Sequence, residues 1–191
     1  MAHNNTEIEI KINLDTSAFI RVREKVKYLA IFVKKIQQVD TYFTPVHRDF
    51  IRPAFPFEWL SIRKRGNDTL LNYKHWYPED VEDTTHCDEF EVTVDSEVQL
   101  EKIFSALNIR KLVTVEKERE VYQYQDKFEI SFDTVKELGY FIEIESLKDF
   151  DGVEATREKL FDFANQLGID ISNVDKRGYP YILMKKKGFI T

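Results

Sequence analysis

Apolar and polar residues alternate with a period of two along most of this chain. The clearest case is Glu7-Ile8-Glu9-Ile10-Lys11-Ile12, which sets three isoleucines against three charges, as a strand with one apolar and one polar face requires. Further strands are predicted over 39–44, 57–66, 69–76, 87–95, 111–124, 127–134 and 139–147, making eight. Gly66-Asn67-Asp68 and Gln125-Asp126 have the composition of tight hairpin connections. A period near 3.6 marks three helices. Residues 16–30 align Phe19, Val22, Val26 and Leu29; residues 96–107 align Leu100, Ile103, Phe104 and Leu107 behind Ser96 as N-cap. Residues 152–167 align Val153, Leu160, Phe163, Ala164 and Leu167 ahead of Gly168, a C-terminal stop. A short helix is predicted after Pro180, and 45–56 and 77–86 read as loops.

Amphipathic helices need an apolar surface to cover. The strands offer Ile8, Ile10 and Ile12; Phe90, Val92 and Val94; and Tyr140, Ile142 and Ile144. The opposite faces then carry Glu7, Glu9 and Lys11; Arg63 and Arg65; Lys74; Glu89 and Glu91; Asp133; and Glu143 and Glu145. For any one strand the ordinary explanation is a sheet with one wet face. Recurrence over many strands, with both signs of charge, favours another arrangement. Eight antiparallel strands can close into a barrel, which removes the edges and leaves an interior wide enough for side chains or a small ligand. Enclosed charges must neutralise each other, a metal or an anionic ligand. The predicted fold is therefore α+β, a closed eight-stranded antiparallel β-barrel with helices packed outside. One strand resists assignment by phase. Lys117 and Arg119 share a face with Val113, Val115 and Val121, while Glu116, Glu118 and Glu120 occupy the other.

Composition narrows the function. A length of 191 residues without a linker-like stretch predicts one domain, and 42% hydrophobic with 32% charged residues excludes a disordered chain. The net charge of −6 argues against nucleic acid as a partner, so any phosphate site must be a local cluster of Lys and Arg. Cys87 is the single cysteine and no Cys/His cluster has zinc spacing. The polar N-terminus lacks the apolar core of a signal peptide, and no apolar run approaches the roughly 20 residues of a membrane span. A cytoplasmic protein without a membrane partner is expected.

The order of the charged motifs resembles the CYTH superfamily of class IV adenylyl cyclases and thiamine triphosphatases, the triphosphate tunnel metalloenzymes. Glu7-Ile8-Glu9-Ile10-Lys11 is similar to its N-terminal ExExK signature. Asp40-Thr41-Tyr42-Phe43, Leu60-Ser61-Ile62-Arg63, Leu71-Asn72-Tyr73-Lys74, Glu89-Phe90-Glu91, Glu116-Lys117-Glu118-Arg119, Phe132-Asp133 and Phe141-Ile142-Glu143-Ile144-Glu145 follow in the family's order. Arg177-Gly178-Tyr179 resembles an R-x-Y element of the cyclase branch, and His47-Arg48-Asp49-Phe50 points to the same branch. Ser61 departs from the pattern, standing where the family's L-R-I-R strand has its first arginine.

The resemblance implies a tunnel that binds a metal–triphosphate. It places Lys117 and Arg119 inside, and assigns triphosphate binding to Lys11, Arg63, Arg65, Lys74, Lys117, Arg119 and Arg177. Lys11, Lys74 and Arg119 are the implied catalytic residues. The metal, Mg²⁺ or Mn²⁺, falls to Glu7, Glu9, Glu143 and Glu145, with Glu89, Glu91 and Asp133 as further ligands or orienters. The implied reaction is conversion of ATP to cyclic AMP and pyrophosphate. Inorganic tripolyphosphatase or thiamine triphosphatase activity on the same tunnel stands as an alternative, as does a polyphosphate-binding module without turnover. The cyclase branch also suggests a homodimer.

Overall fold

The computed structural model describes residues 6–190. Its strands are β1 (Thr6–Glu7), β2 (Glu9–Leu14), β3 (Ile31–Pro45), β4 (Glu58–Arg65), β5 (Asp68–Tyr77), β6 (His86–Thr93), β7 (Ile109–Tyr124), β8 (Phe128–Val135) and β9 (Gly139–Ser146). The helices are α1 (Thr16–Leu29), α2 (Glu97–Ala106), α3 (Val153–Leu167) and α4 (Tyr179–Lys186), with a 3₁₀ turn at Ile171–Asn173. None of these helices is long and apolar enough to cross a membrane.

All nine strands join one sheet in the order β1-β6-β5-β4-β3-β7-β8-β9-β2. The first and last members of that order are consecutive in the chain, so the hydrogen-bonding order is that of a nearly closed antiparallel barrel. The ninth strand arises at Ile8, where the predicted N-terminal strand divides into β1 and β2. The chain also divides into two compact units, one built chiefly on Gln37–Glu116 and the other on Glu7–Ile36 with Lys117–Lys176.

The second unit is organised by an apolar ladder. Ile10 and Ile12 of β2 lie opposite Ile144 and Ile142 of β9, which in turn face Ile130 and Phe132 of β8. All six are 3% exposed or less. Val22 and Val26 of α1 and Leu160 and Phe163 of α3 close over the ladder. Each fully buried aliphatic or aromatic side chain there contributes about 1.5–3 kcal/mol. Because side chains alternate across a strand, the same register fixes the reverse face, where Glu9 lies opposite Glu145 and Lys11 opposite Glu143.

In the first unit Phe43, Ile62 and Phe104 form a smaller core, joined by Leu60, Leu71, Leu100 and Ile109. The apolar stripe predicted for α2 is narrower than expected: Phe104 is buried while Ile103 and Leu107 stay exposed. Phe90 and Val92 of β6 are likewise exposed rather than covered. A ten-residue helix is about 15 Å long. Phe104 of α2 packs on Phe43 and Ile62, and Leu71 of β5 joins them, whereas Phe90 and Val92 of β6 do not belong to this core.

Strand β3 also differs from expectation, starting at Ile31 rather than at residue 39. Residues 31–38 read Ile-Phe-Val-Lys-Lys-Ile-Gln-Gln and do not alternate, so their extended state depends on pairing with β7. The predicted caps hold. Ser96 Oγ accepts from Gln99 N at 3.3 Å, and Gly168 ends α3 in the left-handed region at φ +80. A Cβ at Gly168 would meet nothing within 4 Å, so Gly168→Ala should cost only backbone strain. Denaturant unfolding is expected to show a loss of about 1–2 kcal/mol.

Candidate functional site

The polar faces of β2, β9, β8 and β7 carry a continuous chain of opposite charges in the second unit. Lys11 Nζ lies 3.0 Å from Glu9 Oε1 and 3.0 Å from Glu143 Oε2. Glu143 Oε1 lies 3.0 Å from Arg119 Nη1. Arg119 also grips Asp133 with two parallel bonds of 2.7 and 2.6 Å, and Lys117 Nζ reaches the same carboxylate at 3.0 Å. Three cations thus alternate with three carboxylates, and Asp133 is entirely shielded from solvent. Burial raises the Asp133 carboxyl, but the positive fields of Arg119 and then Lys117 outweigh it and hold the group down at about 2.

This geometry resolves the strand whose phase was ambiguous. Val113, Val115 and Lys117 are buried in alternation along β7, while Glu116 is exposed. Lys117 and Arg119 therefore turn towards Asp133, as the resemblance implied. Glu120 is the exception on the other face. It is 8% exposed and takes two hydrogen bonds from Arg23, at 2.7 and 2.6 Å, with Lys35 Nζ 3.2 Å away.

Two residues of this face escaped the sequence reading. Glu129 lies directly opposite Glu145, itself opposite Glu9, so three carboxylates form a row across β8, β9 and β2. Burial pushes the Glu129 carboxyl above its usual range, against the favourable field of Arg119. The second is Ser131, opposite Glu143, whose buried hydroxyl has no hydrogen-bond partner. It is near enough to Glu129 to ease that charge without hydrogen-bonding geometry. Both residues are in phase with Asp133 on β8, and that shared phase is the signal that would have found them.

A second cluster lies on β4–β6 in the first unit. Arg63 Nη1 is 2.9 Å from Glu89 Oε1 and 3.5 Å from Glu91 Oε2, and its Nε donates to Ser61 Oγ at 3.3 Å. Lys74 Nζ lies 3.6 Å from Glu89 Oε2 and 5.8 Å from the Trp76 ring centroid. Asn72, another residue not singled out from sequence, donates to both Glu89 (2.5 Å) and Glu91 (3.2 Å), which leaves its buried Oδ1 without a partner. Ser61, in the family's arginine position, is opposite Asn72 and 1% exposed.

Arg65 and Arg177 have other partners. Arg65 is bound to the buried carboxylate of Asp40, with contacts of 2.5 and 3.3 Å. Arg177 stacks 4.2 Å above Phe55 and lies 3.7 Å from Glu82. Glu7 is half-buried on β1. His75 hydrogen-bonds Glu79 and stacks on Tyr77, and Cys87 is fully buried.

Among the described residues no three His, Cys, Asp or Glu side chains converge as a ready-made metal site. Carboxylate pairs do occur: Glu9 and Glu143 share Lys11, and Glu89 and Glu91 share Asn72. A pair of carboxylates completed by phosphate oxygens and water is the donor set that Mg²⁺ accepts, so the residues fit such an ion.

The sequence pattern that defines the CYTH domain matches residues 5–179. The chain belongs to the CYTH family. This CYTH chain is 30% identical over 175 residues to a Methanocaldococcus jannaschii protein provisionally named an adenylate cyclase, covering 91% of this chain and 95% of that one. A solved structure from Pyrococcus horikoshii superposes with a TM-score of 0.77 at 29% identity, covering 94% of this chain and 99% of the other. A Hippeastrum protein, provisionally assigned as an adenylyl cyclase and described as having a dominant triphosphatase activity, shares the fold. Its TM-score is 0.65 at 16% identity, with 97% of each chain covered.

Proposed function

We propose that this chain is a divalent-metal-dependent enzyme acting on a triphosphate, and that its reaction converts ATP to cyclic AMP and pyrophosphate. The observation that carries this reading is the buried, alternating array of Lys11, Arg119 and Lys117 with Glu9, Glu143 and Asp133. Buried ion pairs repay their desolvation poorly and are weak devices for stability, so such an array is better explained as a seat for a polyanion. The orphaned Ser131 Oγ and Asn72 Oδ1 support it too, because buried polar atoms are rarely left without a partner.

In this reading Lys11, Lys117 and Arg119 hold phosphate oxygens, and within the first unit Arg63 and Lys74 offer the same chemistry. Arginine suits bidentate phosphate contacts and lysine supplies a compact charge. Arg65 and Arg177 are given only supporting roles, since Asp40 and Phe55 already engage them. Glu7, Glu9, Glu143 and Glu145 would hold Mg²⁺ or Mn²⁺, and within the first unit Glu89 and Glu91 offer a carboxylate pair of the same kind; a bound ion would neutralise phosphate charge. Asp133 orients Arg119 and Lys117. The ribose 3′-oxygen attacks the α-phosphorus, the bond to the bridging oxygen breaks, and pyrophosphate departs. Glu9 and Glu143, which flank Lys11, are candidate acceptors for the hydroxyl proton. Phosphoryl transfer of this kind rests on positioning and charge neutralisation, which such an array supplies.

The same residues would equally serve attack of water on a terminal phosphorus, the kind of activity described for the Hippeastrum relative. Incubation with ATP or tripolyphosphate plus Mn²⁺ separates the two. Cyclic AMP and pyrophosphate in equal amounts are expected. Orthophosphate alone would replace the cyclase by a triphosphatase. Tight tripolyphosphate binding without product under any metal would leave a binding module.

A further inference from the structure

Strand β5 sets out its polar face in a definite order. Asn72, Lys74 and Trp76 share that face, opposite Glu91, Glu89 and Cys87 of β6. Ser61 and Arg63 of β4 are in phase with them. The cationic heads of Arg63 and Lys74 meet on one carboxylate, Glu89, at 2.9 and 3.6 Å. Past Lys74 the face ends on the indole of Trp76, whose ring centroid is 5.8 Å from the ammonium. Past Arg63, in the other direction, comes a further cation, Arg65, held by Asp40. The face thus has an aromatic end and a cationic middle.

Trp76 differs from the rings around it. His75 and Tyr77, in the opposite phase, stack on each other at 4.6 Å, and His75 also packs on Phe57 at 5.4 Å. Trp59, the other tryptophan, is buried and meets Tyr42 edge-on. Trp76 is half-buried. Among the described residues its one ring contact is Lys74, and its indole N–H makes no hydrogen bond. A tryptophan buried for stability usually finds a partner for that N–H.

We propose that Trp76 recognises the base of the substrate: the heterocycle of a nucleoside triphosphate stacks on the indole while its phosphates lie along Lys74 and Arg63. The inference rests on the triphosphate reading above and adds a substrate class to it. Two residues along a strand span about 7 Å, which leaves room for a ribose between a base on Trp76 and a phosphate on Lys74. Inorganic tripolyphosphate has no head group for the aromatic end. Stacking reads a π-face rather than a base edge, so it favours nucleotides as a class without choosing among bases. It holds the base alike in the ground state and the transition state, and therefore acts on binding rather than on turnover.

Trp76→Leu keeps apolar bulk and removes the π-face; Trp76→Phe restores one. Calorimetry with Mg²⁺ compares two ligands, tripolyphosphate and α,β-methylene-ATP, which cannot release pyrophosphate. W76L is expected to weaken the nucleotide by about 10–100-fold, to leave tripolyphosphate within about twofold, and to raise KM for ATP with little change in kcat. W76F should recover most of the loss. The nucleotide, but not tripolyphosphate, should also quench wild-type tryptophan emission, and the quenching should vanish in W76F, where only buried Trp59 remains. That arm decides the matter even where W76L does not fold. Equal weakening of both ligands, weakening of neither, or quenching that persists in W76F overturns the role of Trp76 and leaves the triphosphate site standing. A wild type that binds tripolyphosphate but not the nucleotide does the same. A wild type that binds neither removes the triphosphate reading and this inference with it.

Discussion

Lys74→Ala is expected to lower kcat/KM on ATP by about 100-fold or more while moving the melting temperature by only a few degrees. The first part follows from the role of the ammonium group. Removing one preorganised contact to a charge that develops in the transition state typically costs 10²–10³-fold, or roughly 3–4 kcal/mol. The second part follows from what Lys74 leaves behind. Its carboxylate neighbour Glu89 keeps the Arg63 contact at 2.9 Å and the Asn72 contact at 2.5 Å, so no buried charge is orphaned. Steady-state kinetics paired with thermal unfolding separate the two effects. A large fall in melting temperature would make Lys74 a structural residue, and unchanged kinetics would remove it from the site.

Asp133→Asn should behave in the opposite sense, unfolding the chain more than any other substitution in the array. The carboxylate has no exposure and receives three hydrogen bonds from Arg119 and Lys117. An amide leaves both cations buried and undercompensated, at a cost of about 3–5 kcal/mol. For a chain of this size that corresponds to a fall in melting temperature of roughly 10 °C or more. The pH dependence carries its own signature. The folded carboxyl is depressed from 3.8 to about 2, so its contribution is fully present above pH 4 and disappears as the pH falls through 2. Wild type and D133N should therefore converge in stability over that interval. A constant difference down to pH 2 would mean that the ionised carboxylate is not what stabilises the fold. Arg119→Ala shares part of this liability, which makes it a poorer test of catalysis than Lys74→Ala.

The alternation in Glu7–Ile12 and 139–147 was enough to place β2 and β9 and to separate their faces, because one of those faces is fully buried beneath α1 and α3. The order of the charged motifs then identified the family. Residues 31–38 were not legible as strand, since their extended state comes from pairing rather than from a local pattern. Phase alone could not orient β7, whose valines and cations share one face, and Glu120 shows why: a carboxylate on the apolar side is tolerable when Arg23 and Lys35 meet it. Glu129 and Ser131 were overlooked although they share the phase of Asp133 on β8, and Asn72 although it shares that of Lys74 on β5.

What the amino-acid order determined by itself was local: which segments are strands or helices, where they are capped, and which residue types recur at the motif positions of the CYTH family. What only the tertiary structure decided was pairwise. Arg65 goes to Asp40, Arg177 to Phe55, and Asp133 to two cations at once. A side chain's charge is written in its own codon, but its partner depends on strand register. Register is set by the apolar faces packing against helices tens of residues away.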